Sequence, residues 1–327
     1  MHNYKELLSL FESKLEKEIE TTGHRQPKYL YEPVAYTLKA GGKRIRPVLL
    51  LMAHELYNNQ LEKAIPAAIA IEMFHNFTLL HDDIMDNASL RRNNETVHVK
   101  YSYNTAILSG DAMSILSYEY LNRVDSKNFR EIFSIFTNTA LKICEGQQFD
   151  MDFENQNTVT VDNYLDMIGM KTAVLIAASL KIGALTANAP MHEANLLYEF
   201  GYNLGMAFQL RDDYLDTFGN THTFGKKIGG DIVSNKKTYL MLKALELAND
   251  ELSTKLRALM ENAAISADIK IKQVISVYEQ LDVAKLTIDK MEEYYQKALL
   301  CWENLNVSNN QKQELLLLAN TMMNRTN

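Results

Sequence analysis

Proline and glycine are scarce in this chain, with five and 13 among 327 residues. So little turn chemistry implies long segments, and sustained apolar–polar alternation of the strand type is absent. Cysteine is scarcer still. Cys144 and Cys301 form no CxxC pair, which excludes a disulfide framework or a zinc cluster and fits a reducing cytoplasm. No uncharged apolar stretch reaches the ~18 residues of a membrane span; the nearest, 172–189, is broken by Lys181. The first 20 residues are amphipathic and charged, without the apolar region or cleavage site of a signal peptide. The C-terminal TMMNRTN carries no prenylation box. The expectation is a soluble cytoplasmic protein with no membrane span. An excess of positive charge is missing too. The formal net charge of −7 argues against a general nucleic-acid binder, while leaving room for a small anion in a local basic patch.

Hydrophobic residues make up 46% of the chain, enough for a sizeable core. They recur at helical spacing, as in Leu7, Leu8, Phe11, Leu15 and Ile19. Helices are expected over 2–20, 28–40, 46–58, 64–86, 93–99, 104–123, 128–150, 161–187, 190–214, 235–249, 251–262, 267–301 and 308–325. Pro47 suits the first turn of a helix after Gly41 and Gly42. The glycine-rich 217–231 stretch is the candidate mobile loop. No linker, charge block or short repeat divides the chain, so 1–327 reads as a single all-α domain.

Against this background stands LLHDDIMDN, residues 79–87. Asp82 and Asp86 share one helix face with Asp83 beside them, and like charges at that spacing cost roughly 0.2–0.5 kcal/mol per pair. The spacing returns 130 residues later as Asp212, Asp213 and Asp216. Two copies arise by chance on the order of once in a thousand shuffles, so the pair says more than either motif. Each closes an apolar helical run, where the helix dipole already disfavours carboxylates. A solvated acidic helix end accounts for one copy; a hard cation accounts better for both. Mg²⁺ is the expected ion, since it takes one or two carboxylates plus phosphate oxygens, and two facing clusters could hold several ions around one diphosphate.

Cations suited to diphosphate are also present. Lys43, Arg44 and Arg46 follow a glycine turn at a helix start, where backbone N–H groups favour anions. Arg91 and Arg92 lie just past the first cluster and offer forked guanidinium groups. Lys171 and Thr172 interrupt an apolar helix, where an ammonium needs either an anion or a route to the surface. Lys226, Lys227, Lys236 and Lys237 lie in two further basic stretches. His75, seven residues before Asp82, reads by itself as a core histidine. His81 acquires no role.

Taken in order, GGKRIRP, LLHDDIMDNASLRRN, GDAM, EGQQFD, GMKTA, FQLRDDYLD, FGKKIGGD and NKKT resemble the blocks of the trans-isoprenyl diphosphate synthase (polyprenyl synthetase) family, over nearly the whole chain. The resemblance implies a single large bundle of long helices around a central active-site cavity, usually a homodimer. It implies an Mg²⁺-dependent 1'-4 condensation of isopentenyl diphosphate with an allylic diphosphate, with three ions per site. By position, Lys43, Arg46, His75 and Arg92 would hold isopentenyl diphosphate. Asp82 and Asp86 would bind Mg²⁺ under the allylic diphosphate, supported by Asp83, and Arg91 would hold that diphosphate. Lys171, Gln209, Lys226 and Lys236 would contact it, and Thr172 would lie near the reacting carbons. Asp212 would bind a further Mg²⁺, with Asp213 and Asp216 completing the cluster; Gln147 and Asp150 match a block without a clear role. A terpene cyclase and a silent regulatory subunit are the alternatives, and the intact aspartate clusters argue against both.

The helix before the first cluster also speaks to product length. Thr78 lies one turn below Asp82 with Phe77 beside it, and Phe74 two turns below. Bulky residues on that face would form a floor for a prenyl tail. Phe77 five residues before the motif, with Thr78 rather than an aromatic at four, resembles geranylgeranyl-type synthases. The expected product is therefore C20, ahead of C15.

Overall fold

The computed structural model describes residues 1–156, 158–219, 228–262 and 264–324. The chain divides into two compact units. The first contains Met1–Ala140, Ala178–Tyr198 and Leu305–Leu316; the second contains Leu141–Ala177, Glu199–Asn304 and the C-terminal residues from Leu317.

In the first unit, α1 (Tyr4–Gly23) begins at Asn3, whose side chain caps two backbone N–H groups while Glu6 reaches back to the cap. Its Leu7, Phe11, Leu15 and Ile19 are buried, the face read from the sequence. Three helices follow: α2 (Lys28–Lys39), α3 (Ile45–Glu55) and α4 (Ile65–Met85). Pro47 lies in the first turn of α3. Buried residues run almost continuously through 48–54 and 67–74, which makes α3 and α4 the centre of this core. Each large apolar side chain so buried contributes roughly 1.5–3 kcal/mol.

Residues 93–99 do not form the expected helix. A two-residue hairpin pairs β1 (Leu90–Arg91) with β2 (Asn94–Glu95), and the short α5 (Val97–Lys100) follows. Arg92 and Asn93, at the turn, both have positive φ, the signature of a type I′ turn. The unit continues with α6 (Tyr103–Leu121) and the first part of α7 (Phe129–Asn155).

The second unit takes the rest of α7, then α8 (Val161–Ile168), a π-helical turn over Gly169–Ala173 and the start of α9 (Val174–Thr186). The later part of α10 (Met191–Phe218) carries the second aspartate motif. Next come α11 (Gly230–Val233), α12 (Tyr239–Leu247), α13 (Asp250–Glu261) and α14 (Ala267–Gln280). Then come α15 (Val283–Glu303) and, from Leu317, the later part of α16 (Asn309–Asn324), whose start belongs to the first unit. The expected helix over 267–301 is thus two, broken where Asp282 adopts a left-handed conformation at φ 54°. No glycine or proline marks that break. Two clusters form the core, one around Leu240, Val274 and Tyr278, the other around Tyr164, Ile168, Met206 and Leu210.

Two expectations need adjustment. The helical stretch Val161–Thr186 is long and apolar enough to cross a bilayer, although no such stretch was expected; 78% of its apolar window is buried, as in a core helix. Of the expected mobile loop 217–231, residues 220–227 lie outside the described residues, Lys226 and Lys227 among them.

Candidate active site

The first aspartate motif sits where α4 stops. Asp86 is the last capping residue, and Asn87 turns left-handed at φ 49°. The N–H groups of Asn87 and Ala88 then bond back to the carbonyls of Ile84 and Asp83, a Schellman closure with asparagine in glycine's usual place. Asp83 is buried, and its Oδ1 accepts from Arg91 Nε at 2.7 Å. Burial pushes the Asp83 carboxyl above its ordinary range, and Arg91 opposes the rise. Asp82 lies 3.8 Å from Arg91 Nη2. Asp86 is exposed.

Below that end, the face of α4 is aromatic. Phe77 packs on His81 (ring centroids 4.9 Å apart) and on Phe74 (5.3 Å). Phe74 packs on Phe136 of α7 (5.5 Å), and Phe136 on Tyr118 of α6 (5.1 Å). Thr78 Oγ1 donates to the carbonyl of His75 at 2.8 Å, so its hydroxyl is satisfied within the helix. His81, which the sequence left without a role, bonds the carbonyl of Ile107 at 3.1 Å and locks α4 against α6.

Two turns earlier on the same helix, His75 is met by cationic residues from α3 and the hairpin. Arg46 Nη1 lies 3.2 Å from His75 Nε2. A guanidinium can only donate, so Nε2 accepts and the imidazole is neutral. Burial and the neighbouring Arg46, Arg92, Arg91 and Arg44 hold His75 well below the ordinary histidine range. Arg92, on the hairpin tip, donates to the carbonyl of Gly41. Gly42 sits at φ 136°, a conformation residues with a Cβ rarely adopt, and a Cβ there would lie 2.6 Å from the Arg92 guanidinium. Residues from three separate stretches, Gly41–Arg46, His75 and Arg91–Arg92, thereby form one cationic cluster. Arg44 departs from the rest. It is buried, and its guanidinium binds Glu72 and the carbonyl of Leu38.

In the second unit a cavity of about 120 Å³ is lined by Asp150, Tyr164, Lys171, Thr172, Gln209, Asp213, Asp231 and Lys236, among others. The π-helical turn widens the helix at Lys171 and Thr172, a device that places side chains at functional sites. Gly146 of α7 permits this turn to approach, since a Cβ there would lie 2.6 Å from the Lys171 nitrogen. Lys171 Nζ pairs with Asp150 Oδ2 at 2.6 Å. The ammonium thus meets a carboxylate of the protein, and Asp150 gains the role the sequence did not supply.

A chain of hydrogen bonds crosses the cavity. Thr172 Oγ1 donates to Gln209 Oε1 (3.0 Å), Gln209 Nε2 donates to Asp213 Oδ1 (3.0 Å), and Tyr164 donates its hydroxyl to Asp213 Oδ2. Burial pushes Asp213 up to about 8, with the Tyr164 and Gln209 bonds opposing and the Asp231 and Asp212 charges reinforcing the rise. Asp216 Oδ2 accepts from the N–H of Asp231 at 2.9 Å, which ties the end of α10 to the start of α11. Lys237 takes no part in the cavity chain. Its ammonium donates to the carbonyls of Phe153, Glu154 and Gln156 and so caps α7.

Within the first unit the structure brings together Arg46, His75, Arg92 and the aspartates with Arg91. Within the second it brings together Lys171, Thr172, Gln209, Asp213 and Lys236. Lys43 is exposed beside Arg44. Sequence reasoning missed Tyr164 and Asp231. Tyr164 lies in an amphipathic helix like many others, and no motif distinguishes it. Among the described residues no three His, Cys, Asp or Glu side chains converge as a closed metal cage. The donors at the two helix ends are carboxylate oxygens only, which suits a hard ion completed by a ligand's phosphates.

A predominantly helical chain that gathers guanidinium groups from α3 and the hairpin onto α4, with carboxylates at that helix's end and a lysine–threonine–aspartate cavity in its second unit, suits the handling of diphosphates. The family model described as polyprenyl synthetase matches residues 27–278, and the chain belongs to that family. The short chain isoprenyl diphosphate synthase of Methanocaldococcus jannaschii is 39% identical over 265 residues, covering 81% of this chain and 80% of that protein. The geranylgeranyl diphosphate synthase of Sulfolobus acidocaldarius is 40% identical over 275 residues, covering 83% and 82%. A crystal structure of a geranylgeranyl pyrophosphate synthase superposes with a TM-score of 0.93 at 45% identity, covering 99% of both chains.

Proposed function

We propose that this protein is a trans-prenyltransferase that joins isopentenyl diphosphate head to tail (1'-4) to an allylic diphosphate, with a C20 product favoured over C15. The observation that carries the reading is the contact of Arg46 with His75 beside Arg92 and the Gly41–Gly42 turn. Three distant sequence blocks converge there on one anion-binding wall.

In this reading Lys43, Arg46, His75 and Arg92 hold isopentenyl diphosphate. Arg91, Lys171, Gln209, Lys226 and Lys236 hold the allylic diphosphate, and Thr172 lies near the reacting carbons. Asp82, Asp86 and Asp212 would hold Mg²⁺, three ions per site, which when bound supplies positive charge to the leaving diphosphate. Asp83 is held by Arg91, and Asp213 by Tyr164 and Gln209, so these two orient the clusters while Asp216 anchors the turn at Gly229–Asp231.

The allylic C–O bond breaks with its electron pair leaving on the diphosphate oxygen, and the prearranged cations stabilise that charge. The double bond of isopentenyl diphosphate attacks the allylic cation, and a proton leaves to the departed diphosphate. No protein nucleophile is required. Exclusion of water by the apolar walls protects the cation.

Phe77 and Phe74 support the C20 assignment, as do the geranylgeranyl synthases among the relatives. Exposed apolar residues Ile107, Leu108 and Ile115 of α6 and Phe133 of α7 support a homodimer. The free state of Cys144 and Cys301 supports a cytoplasmic location. We take both units to serve as one catalytic domain. The test is incubation of the purified chain with Mg²⁺, isopentenyl diphosphate and each allylic starter in turn, with products weighed by mass spectrometry. Linear prenyl diphosphates that disappear on chelation are expected. A cyclic hydrocarbon, or no product from any starter, overturns the proposal.

A further inference from the structure

One buried carboxylate near the cationic cluster belongs to no motif. Glu72 is 2% exposed, on α4, one turn before His75. Its Oε1 accepts from Arg44 Nη1 at 2.5 Å and from Asn76 Nδ2 at 2.8 Å. The other Arg44 amine reaches the carbonyl of Leu38, at the end of α2, at 2.5 Å. Arg44 is itself buried and left-handed at φ 45°, a conformation that a residue with a Cβ keeps only when its surroundings enforce it. Two residues further on, Arg46 meets His75. The loop Gly41–Arg46 therefore touches α4 at two rungs a turn apart: Arg44 on Glu72, whose carboxylate Asn76 also holds, then Arg46 on His75. The first rung is a charge pair sealed from water, so its geometry is stiff and its loss leaves an uncompensated buried guanidinium. Arg46 and His75 on the second rung are only half-buried.

We propose that Glu72 is a positioning residue for isopentenyl diphosphate: by anchoring Arg44 it sets the register of the Gly41–Arg46 loop on α4, and so delivers Lys43 and Arg46 to the diphosphate. Arg44, for all its place in the basic motif, serves the loop and does not bind the ligand. This rests on the prenyltransferase reading and deepens it.

The test compares Glu72→Gln with the paired apolar replacement Arg44→Met/Glu72→Met, which removes the rung without stranding a charge. Steady-state KM is measured separately for the two substrates, isopentenyl diphosphate binding is titrated without turnover, and thermal unfolding is followed in parallel. The expected result is a rise of tenfold or more in the KM and Kd for isopentenyl diphosphate, with the allylic KM within twofold of the parent. If Glu72→Gln does not fold, the paired variant decides. A folded paired variant that keeps the parental affinity for isopentenyl diphosphate overturns the inference, as does an equal rise in both KM values. A parent chain that binds isopentenyl diphosphate without turnover costs the function reading alone, because the titration still reads the rung. A parent that neither binds nor turns over ends both.

Discussion

The two aspartate motifs share a spacing and a position near a helix end, yet their middle residues live in opposite chemistry. Asp83 is met by a guanidinium at 2.7 Å, whereas Asp213 is met by a phenol and a carboxamide. Both are buried, and burial raises both, but only the second lacks a cation in contact and rises to about 8. The first cluster therefore meets its inner carboxylate with a cation, while the second leaves its inner carboxylate with neutral donors and a raised affinity for a proton. A shared aspartate spacing does not set the environment of the charge; Arg91 on one side and Tyr164 on the other do.

The sharpest test of that contrast spares the inner aspartates. Asp82→Ala and Asp212→Ala should each leave the helical circular-dichroism spectrum unchanged and lower turnover by at least about 10²–10³-fold, the scale of losing one group that stabilises developing charge. Near-normal turnover in both would remove the outer aspartates from the reaction. Next in size come the inner residues themselves. Asp83→Asn strands Arg91 and should cost roughly 1.5–3 kcal/mol of stability in denaturant titration. Asp213→Asn keeps the size of the side chain and removes a charge that burial disfavours and no cation meets, so it should cost less, about 1 kcal/mol. Equal losses would show that the two environments do not differ as described.

A smaller effect is expected in the product. Phe77→Ala should lengthen the chain by one or more isoprene units under excess isopentenyl diphosphate, read by mass. Its stability cost should fall below the roughly 3–5 kcal/mol of a fully buried phenylalanine, since Phe77 keeps some exposure. An unchanged product moves the floor elsewhere, with Phe136 and Tyr118 next in the aromatic row.

The least effect is one of pH. His75 is held neutral when folded, so its folded pKa lies below its unfolded one. As pH falls below about 6.5, the unfolded chain takes up a proton that the folded chain refuses, and stability declines by up to roughly 1.4 kcal/mol per pH unit. His75→Gln lacks that contribution, so between pH 7 and 5 it should lose less stability than the parent. Parallel curves would show that His75 is not neutral in the folded state.

Much of this was legible in the sequence. The helical periodicity of α1, the apolar run of α4 and the repeated aspartate spacing all depend on neighbours a few residues apart, and those interactions can be read in order. The hairpin at 90–95 was not legible, because its type I′ turn is made by Arg92 and Asn93 without a glycine. Nor was the break at Asp282, which again uses a left-handed residue with a side chain. The pairing of Arg44 with Glu72 spans 28 residues, and the bond from Tyr164 to Asp213 spans 49. Neither leaves a periodic trace, so a lysine- and arginine-rich motif hides which of its cations is structural.

Glu72, His75, Phe74, Phe77 and Asp82 all ride on α4, one uninterrupted helix. Their separations are therefore quantised in steps of about 1.5 Å and about 100°. In the proposed reaction the helix would act as a graduated rod, fixing how far the ionising end lies from the hydrocarbon stop. Evolution can change the length being measured by exchanging one bulky side chain for another. It cannot insert a single residue between Phe77 and Asp82 without swinging the stop more than a quarter-turn out of line with the end from which the measurement starts.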